Sequence, residues 1–351
     1  MQALSSSSPS RSAHPFLTLP IVDVSPLFGA DRSRIEETIA LLKRAASEVG
    51  FLYVTEHGVA PDLIVDLERV ARAFFALPPA AKLEYHIGRS SNHRGYVPPG
   101  EEVFYGQTRD TKEAFDLSRE LPDEDYGPAR RFLGPNVWPR EVPELRTVVT
   151  RYYESVFSLG RTLLSAFARA LELPASYFEP HLRRPPSQLR MLHYEPAEAG
   201  EDTMGIGAHT DYECLTLLHA TAPGLEVMNG AGQWVQAPPI PGAFVVNIGD
   251  LLEVWSNGLF MSTSHRVVPV AARRYSFPLF FTVDYDTRVE PLPHLSRDGA
   301  RYPALTSGEH LLAQTMQSFR YLRDLRERGL IALPSSAREL SSFGRERRGA
   351  Q

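Results

Sequence analysis

The feature that most constrains the fold is a series of short apolar runs between residues 188 and 285. Residues 215–218, 244–248 and 277–283 are examples, and Gly, Pro and Asn separate such runs. Short apolar runs between turn residues are typical of the buried strands of an antiparallel sandwich or barrel. We therefore predict an all-β sandwich or jelly roll for this part of the chain.

Helical periodicity lies on both sides of this region. Apolar residues recur every three or four positions, which predicts helices over residues 33–49, from Pro61, over 143–173 and from Thr306. Residues 86–142 are instead rich in Gly, Pro and charge, and we predict surface loops there. The chain is thus expected to be mainly β with flanking helices.

The expected organisation has four parts. Residues 1–15 are rich in Ser and are predicted to be a disordered leader. Residues 16–140 form an N-terminal α/β region, and residues 141–335 contain the scaffold helix, the β core and the C-terminal helix. Residues 336–351 are predicted to be a tail.

Composition excludes several classes of protein. A formal net charge of -5 argues against a nucleic-acid partner, because such domains usually carry a basic excess. The single cysteine, Cys214, excludes an intramolecular disulfide and a thiolate metal cluster. There is no secretory signal and no apolar run of the roughly 20 residues that a membrane helix needs. We expect a cytoplasmic monomer or weak homo-oligomer that acts on a small molecule.

A His-x-acid pair, His209/Asp211, is the first candidate for a metal site. Chance predicts about one such pair among 11 His and 42 acidic residues in 351, and there are two, the other being His193/Glu195. His265 lies 54 residues beyond Asp211, far enough to come from a facing strand. Two imidazoles and one carboxylate leave three octahedral positions open, as in non-haem Fe(II) oxygenases. A zinc hydrolase has similar ligands, but its His-Glu-x-x-His motif is absent.

An Arg-x-Ser pair, Arg274 and Ser276, follows His265 at the start of an apolar run. Arginine presents a planar fork to a carboxylate, and the serine hydroxyl on the same strand face adds a donor. An arginine that points into a β core needs an anion to offset its desolvation. The pair therefore predicts a site for a carboxylate.

These motifs together resemble the isopenicillin N synthase-like family of 2-oxoglutarate/Fe(II) oxygenases, and most closely its bacterial branch. The resemblance covers about residues 18–325. The matching segments are Gly-Ile-Gly-Ala-His-Thr-Asp-Tyr at 205–212, Asn-Ile-Gly-Asp at 247–250, Ser-His-Arg-Val at 264–267, Arg-Tyr-Ser at 274–276, Pro-Ile-Val-Asp at 20–23, Gly-Phe-Leu-Tyr-Val at 50–54 and His-Gly-Val at 57–59.

The resemblance implies a double-stranded β-helix, or jelly-roll, core. It implies that Fe(II) is held by His209, Asp211 and His265. Arg274 and Ser276 would bind the C5 carboxylate of 2-oxoglutarate, together with Tyr194 from a preceding strand.

The strand that carries Tyr194 has two faces. Because side chains alternate along a strand, Arg190, Leu192 and Tyr194 point inward, and His193 and Glu195 point outward. This removes the second His-x-acid pair from the metal site. Arg190 either approaches the C1 carboxylate of 2-oxoglutarate or forms a structural ion pair.

The activity that the resemblance implies is oxidation of an unactivated C–H bond of a small molecule, such as an amino acid or a secondary metabolite. Fe(II), 2-oxoglutarate and O2 take part, and hydroxylation is the default outcome over desaturation or cyclisation. Two alternatives remain open. One is an isopenicillin N synthase-type oxidase that uses no 2-oxoglutarate, and the other is a non-catalytic jelly-roll binding protein.

Substrate contacts are expected from loops at the mouth of the barrel and from its inner wall. An acidic pair at residues 101 and 102 would favour an amine or a guanidine, and the alternative is a solvated loop. The candidate substrate-binding residues are Glu102, Val103, Phe104, Tyr212 and Phe281.

Overall fold

The computed structural model describes residues 15–102, 111–197, 205–269 and 271–334. The predicted leader, apart from residue 15, and the predicted tail lie outside these residues. No helix in the described part of the chain combines the length and the apolar composition that crossing a bilayer requires.

Most of the described residues belong to short strands and the helices that flank them. In chain order the strands are β1 (Ile21–Asp23), β2 (Phe51–Thr55), β3 (Gly95–Val97), β4 (Glu113–Ser118), β5 (Gln188–Tyr194), β6 (Ile206–His209), β7 (Leu215–Ala220), β8 (Leu225–Met228), β9 (Trp234–Gln236), β10 (Phe244–Ile248), β11 (His265–Val267), β12 (Arg274–Phe281), β13 (Arg288–Val289) and β14 (Leu305–Thr306).

Two facing sheets form the core. The larger has eight strands in the order β1-β2-β10-β7-β12-β5-β4-β3, and the smaller has four in the order β6-β11-β8-β9. Only β1 and β2 pair in parallel among the strands named here. The strands of the 188–281 region are divided between the sheets, and residues from both sheets line one cavity. The prediction of a mainly β protein with a jelly-roll core is confirmed.

Seven α-helices accompany the strands in the described residues. They are α1 (Arg32–Glu48), α2 (Pro61–Phe75), α3 (Pro79–Leu83), α4 (Glu144–Ala170), α5 (Asp250–Trp255), α6 (Ser307–Ser318) and α7 (Arg320–Glu327). The long helix α4 packs against α1, α2 and β12, so it covers the outer face of the larger sheet. At the start of α1 the carboxylate of Asp31 accepts the backbone N–H groups of Ser33 and Arg34, which caps the helix.

The prediction of surface loops over residues 86–142 is wrong in two places, because β3 and β4 belong to the larger sheet. All six residues of β4 are buried, including Glu113 and Asp116. Each carboxylate is paired with a buried cation: Lys82 Nζ lies 2.6 Å from Glu113, and Arg190 Nε lies 2.7 Å from Asp116. The sequence analysis missed β4 because its charged side chains are typical of surface loops. The cations that pair with them in the interior are distant along the chain.

Phe281 does not line the inner wall, contrary to the prediction. On β12 the side chains of Arg274, Ser276, Pro278 and Phe280 line the cavity. Because strand side chains alternate, Phe281 faces the opposite way and packs on α4, with its ring centroid 4.9 Å from that of Phe157. The inward aromatic residue of this strand is therefore Phe280.

The contact between Phe281 and α4 depends on a glycine. A Cβ at Gly160 would lie 2.5 Å from Cδ2 of Phe281. We expect Gly160→Ala to lower the free energy of unfolding by about 1–3 kcal/mol through overpacking, although alanine is normally the better helix former. Chemical denaturation measures the change.

The matched control is Ser158→Ala on the exposed side of the same helix, for which we expect a change within about 0.5 kcal/mol. Phe281→Leu should restore part of the stability lost in Gly160→Ala. An equal response of Gly160→Ala and Ser158→Ala would contradict this packing.

Candidate active site

Three ligand-type side chains meet between the sheets. His209 ends β6, Asp211 follows two residues later, and His265 begins β11, where it pairs with His209 across the strands. Nε2 of His209 and Nε2 of His265 lie 3.7 and 3.5 Å from Oδ1 of Asp211. One ligand atom from each residue lies within 4.8 Å of the others, and no other such cluster is found in the described residues. This spacing suits one metal ion.

Both imidazole rings are oriented by backbone carbonyls. Nδ1 of His209 lies 2.7 Å from the carbonyl oxygen of Gly207, and Nδ1 of His265 lies 3.2 Å from that of Thr263. A carbonyl only accepts, so each Nδ1 carries the proton and each Nε2 keeps its lone pair for a metal. Burial and the neighbouring His265 lower the pKa of His209 to about 4, which keeps its ring neutral.

The carboxylate of Asp211 is held by the larger sheet. Its Oδ2 accepts a hydrogen bond from Nδ2 of Asn247 on β10 at 2.7 Å and another from the hydroxyl of Thr216 on β7. Burial opposes ionisation, but His265 and His209 hold the pKa of Asp211 below its ordinary value. The two hydrogen bonds occupy Oδ2 and leave Oδ1 directed at the imidazoles.

Neither Thr216 nor Asn247 was predicted to position Asp211. Asn247 lies in the Asn-Ile-Gly-Asp segment at 247–250, and Thr216 lies in an apolar run. A hydroxyl or an amide on an otherwise apolar strand needs a hydrogen-bond partner in the interior. That requirement was the sequence signal from which a positioning role could have been predicted.

Arg274 is a buried cation without an acidic partner among the described residues. Its side chain is 1% exposed, its Nε donates to the carbonyl of Ala222 at 3.1 Å, and its guanidinium lies 4.7 Å from the ring centroid of Tyr194. Its Nη1 has no hydrogen-bond partner in this part of the structure. Burial lowers the pKa of Arg274. Since Ser276 and Tyr194 line the same cavity, the group fits an anionic ligand.

Arg190 lies on another wall of this cavity and is part of a buried ion network. Its Nε and Nη2 donate to Asp116 at 2.7 and 2.9 Å, and its Nη1 lies 3.0–3.1 Å from both carboxylate oxygens of Glu102. Lys112 Nζ donates to Glu102 at 2.7 Å. The sequence predicted that Arg190 either approaches the C1 carboxylate of 2-oxoglutarate or forms a structural ion pair, and the structure contains the ion pair. Although burial opposes it, Arg190 and Lys112 lower the pKa of Glu102 to about 2.

The other predicted substrate-binding residues fall into two groups. Glu102 and Tyr212 line the cavity, while Val103 and Phe104 lie outside the described residues. Glu102 is 4% exposed, so the alternative of a solvated loop does not hold for it.

The cavity also has walls that were not predicted. The cavity and its open mouth together contain about 860 Å³ of space that protein atoms do not fill. Its unpredicted polar and aromatic lining includes Gln188, His93, Thr315, Ser318, Phe319 and Phe280.

The second His-x-acid pair lies on the outer face of the sheet, as predicted. Nδ1 of His193 lies 2.8 Å from a carboxylate oxygen of Glu113, and its ring lies against those of Phe75 and Tyr275. Glu195 is 65% exposed. This imidazole therefore belongs to the packing beneath α2.

Two family models match the chain. Residues 19–141 match the N-terminal domain described as that of a non-haem dioxygenase in morphine synthesis, and residues 185–283 match the 2OG-Fe(II) oxygenase superfamily.

Two relatives, one from a plant and one from a fungus, match most of the chain. A homoarginine-6-hydroxylase of Oryza sativa is 36% identical over 87% of this chain and 98% of its own length. A 2-oxoglutarate-Fe(II) type oxidoreductase of Emericella nidulans, hxnY, is 33% identical over 86% of this chain and 90% of its own length.

Two solved structures extend the comparison. A full-length Neurospora crassa protein in complex with alpha-KG and thymine has a TM-score of 0.76 and 27% identity, over 88% of this chain and 98% of that one. A putative 2OG-Fe(II) oxygenase family protein of Caulobacter crescentus has a TM-score of 0.73 and 33% identity, over 89% and 99%.

The hydrogen bond from Thr216 gives the first test of this site. We expect Thr216→Val to weaken Fe(II) binding by about 10- to 100-fold, because the carboxylate of Asp211 loses one of its two orienting donors. Competition with a chelator under anaerobic conditions measures the dissociation constant.

The control is Thr162→Val on α4, where the hydroxyl bonds to the carbonyl of Ser158, far from the cluster. Equal iron affinity in both variants would rule out a positioning role for Thr216.

Proposed function

This chain belongs to the 2OG-Fe(II) oxygenase superfamily and is a non-haem Fe(II)/2-oxoglutarate-dependent dioxygenase, and we propose that it hydroxylates a C–H bond of a small molecule that carries an amine or a guanidine. When Fe(II), 2-oxoglutarate and O2 are bound, oxidative decarboxylation of 2-oxoglutarate to succinate and CO2 supplies the oxidising power. The protein contributes positioning and exclusion of water.

We propose His209, Asp211 and His265 as the iron ligands, through Nε2, Oδ1 and Nε2. The close approach of these three atoms supports this assignment, as do the carbonyl bonds that fix both imidazole tautomers. Three protein ligands leave coordination positions for 2-oxoglutarate and O2.

We propose that Arg274, with Ser276 and Tyr194, binds the C5 carboxylate of 2-oxoglutarate. The supporting observation is the buried guanidinium that has no acidic partner among the described residues. A dicarboxylic cosubstrate would offset the desolvation of this cation. It would also fix the distance between the iron and the far carboxylate.

The amine or guanidine of the substrate is proposed from the ionised carboxylate of Glu102 on the cavity wall. A carboxylate has about four lone-pair sites, so Glu102 can accept from a substrate N–H besides Arg190 and Lys112. Support also comes from relatives in Oryza sativa, Glycine max and Arabidopsis thaliana that are homoarginine-6-hydroxylases, enzymes named for a substrate that carries both an amine and a guanidine. Tyr212, on the same cavity, is proposed as a second contact.

Three finer properties are also proposed, namely the branch of the family, the compartment and the partners. Membership of a bacterial branch is supported by the 33% identity to the Caulobacter crescentus protein, although the characterised relatives cited here are from plants and fungi. A cytoplasmic location is proposed from the single cysteine, and the lack of a nucleic-acid partner from the net charge of -5.

The cosubstrate site is tested by Arg274→Leu. We expect the KM for 2-oxoglutarate to rise by about 10- to 100-fold, because charge-assisted hydrogen bonds to the C5 carboxylate are lost. Succinate release at varied 2-oxoglutarate concentrations measures the change.

The neighbouring Arg273→Leu is the matched control, since Arg273 is exposed and pairs with Glu195. An unchanged KM for 2-oxoglutarate in Arg274→Leu would show that the cosubstrate assignment is wrong.

The substrate class is tested by substrate-dependent succinate release from the iron-loaded enzyme. We expect turnover with L-homoarginine and other amines or guanidines, and none with neutral compounds such as thymine. Glu102→Gln should raise the KM for the accepted compound by about tenfold or more, because it removes the charge that the substrate N–H meets. Turnover of neutral compounds alone would refute the proposed class.

The matched control is Glu101→Gln. Glu101 is also buried, but its carboxylate accepts from the backbone N–H of Tyr321 and does not line the cavity. We expect a smaller change in KM for this variant. Thermal unfolding of both variants shows whether the fold is retained.

A further inference from the structure

Gln188 is a buried amide without a partner for its nitrogen. It begins β5, is 9% exposed and lines the cavity, and its Nε2 has no hydrogen-bond partner in the described residues. Buried polar groups are almost always hydrogen-bonded, and leaving a donor unpaired costs free energy. Because no contact among the described residues satisfies this N–H donor, we expect an acceptor atom of a bound ligand to do so.

Arg190 stands beside Gln188 on the same face of β5, two residues along the strand. A guanidinium has five N–H groups, and the contacts to Asp116 and Glu102 use at most four. At least one N–H is therefore left without a partner among the described residues. The rings of Phe280 and Phe319, at 5.8 and 5.4 Å, hold the guanidinium plane in place.

The wall around Arg190 is balanced in charge. Arg190 and Lys112 supply two positive charges, and Glu102 and Asp116 supply two negative ones. A lone cation can meet Glu102, but it also lies near the positive charges of Arg190 and Lys112, and a lone anion beside Arg190 likewise lies near the two carboxylates. A ligand group with one charge of each sign avoids both penalties, because each charge can face its opposite.

We propose that Gln188, Arg190 and Glu102 form a subsite for the head group of an α-amino acid. The carboxylate of the ligand accepts from Nε2 of Gln188 and from the remaining N–H of Arg190, while its ammonium group donates to Glu102. This rests on the proposed function and adds to it the end of the substrate that is recognised and the position that is oxidised.

The strand register gives the orientation. Phe280 pairs with Gln188 on one side and with Thr216 on the other, so these two residues lie in one row of the sheet, two strands apart. That separation is about 10 Å, and Thr216 holds the carboxylate of Asp211. The proposed head-group subsite is therefore about two strand spacings from the residue that holds Asp211. The C–H bond that meets the iron belongs to the side chain, several bonds from the α-carbon.

The experiment compares L-homoarginine with its decarboxylated analogue, which keeps the guanidine and lacks the carboxylate. The kcat/KM of each is measured by succinate release, and the product by NMR. We expect the wild-type enzyme to prefer the amino acid and to hydroxylate a side-chain carbon distant from the α-carbon. Gln188→Met should lower the ratio of the two kcat/KM values by about 10- to 100-fold, because a hydrogen bond to a charged group is lost.

Gln236→Met, at an exposed position on β9, is the matched control and should leave the ratio unchanged. If Gln188→Met unfolds on thermal analysis, Gln188→Glu replaces it, and its added negative charge should lower the ratio at least as much.

The outcomes separate the two proposals. Equal turnover of both compounds by the wild-type enzyme, an unaltered ratio in the folded Gln188 variant, or a hydroxyl group on the carbon next to the α-carbon would overturn the subsite and leave the amine or guanidine class standing. Turnover of neither compound, nor of any other amine or guanidine, would overturn the class and the subsite together.

Discussion

The position of Asp211 depends on hydrogen bonds that join the two sheets. Its side chain receives Thr216 and Asn247 from β7 and β10 of the larger sheet, and its backbone oxygen accepts the N–H of Asp250 at 2.9 Å. The imidazoles that complete the cluster come from β6 and β11 of the smaller sheet. The three-residue cluster therefore exists only where the sheets face each other, and any loss of their register would separate its members.

Three buried arginines differ in the partners that compensate the charge of their guanidinium groups. The guanidinium of Arg94 donates to the backbone carbonyls of Asn92, His93 and Phe132, and that of Arg190 donates to two carboxylates. Arg274 has one carbonyl and the face of an aromatic ring. An interior cation with so few partners is costly unless an anion binds beside it, and this cost is the basis of the proposed 2-oxoglutarate site at Arg274.

The cavity wall that contains Glu102 is assembled from segments far apart in the chain. Glu102 forms a β-bridge with Phe319, and the backbone oxygen of Glu101 accepts the N–H of Arg320 at 2.8 Å. These contacts attach the C-terminal helices α6 and α7 to the segment that follows β3. One wall of the cavity is thus formed by a contact between the N-terminal and C-terminal thirds of the protein.

The sequence by itself determined the fold class, and it supplied the candidate metal ligands and the candidate carboxylate-binding pair. Period-2 alternation is local, and it correctly assigned Arg190 and Tyr194 to the cavity and His193 to the opposite face. The same rule applied to β12 would have selected Phe280 rather than Phe281. Only the tertiary structure decided which polar groups are satisfied. The pairing of Arg190 with Asp116 and Glu102, and the hydrogen bond from Asn247 to Asp211, join residues 36 to 88 positions apart. A local pattern does not predict such contacts, and it does not predict that the Nε2 of Gln188 lacks one in the described residues.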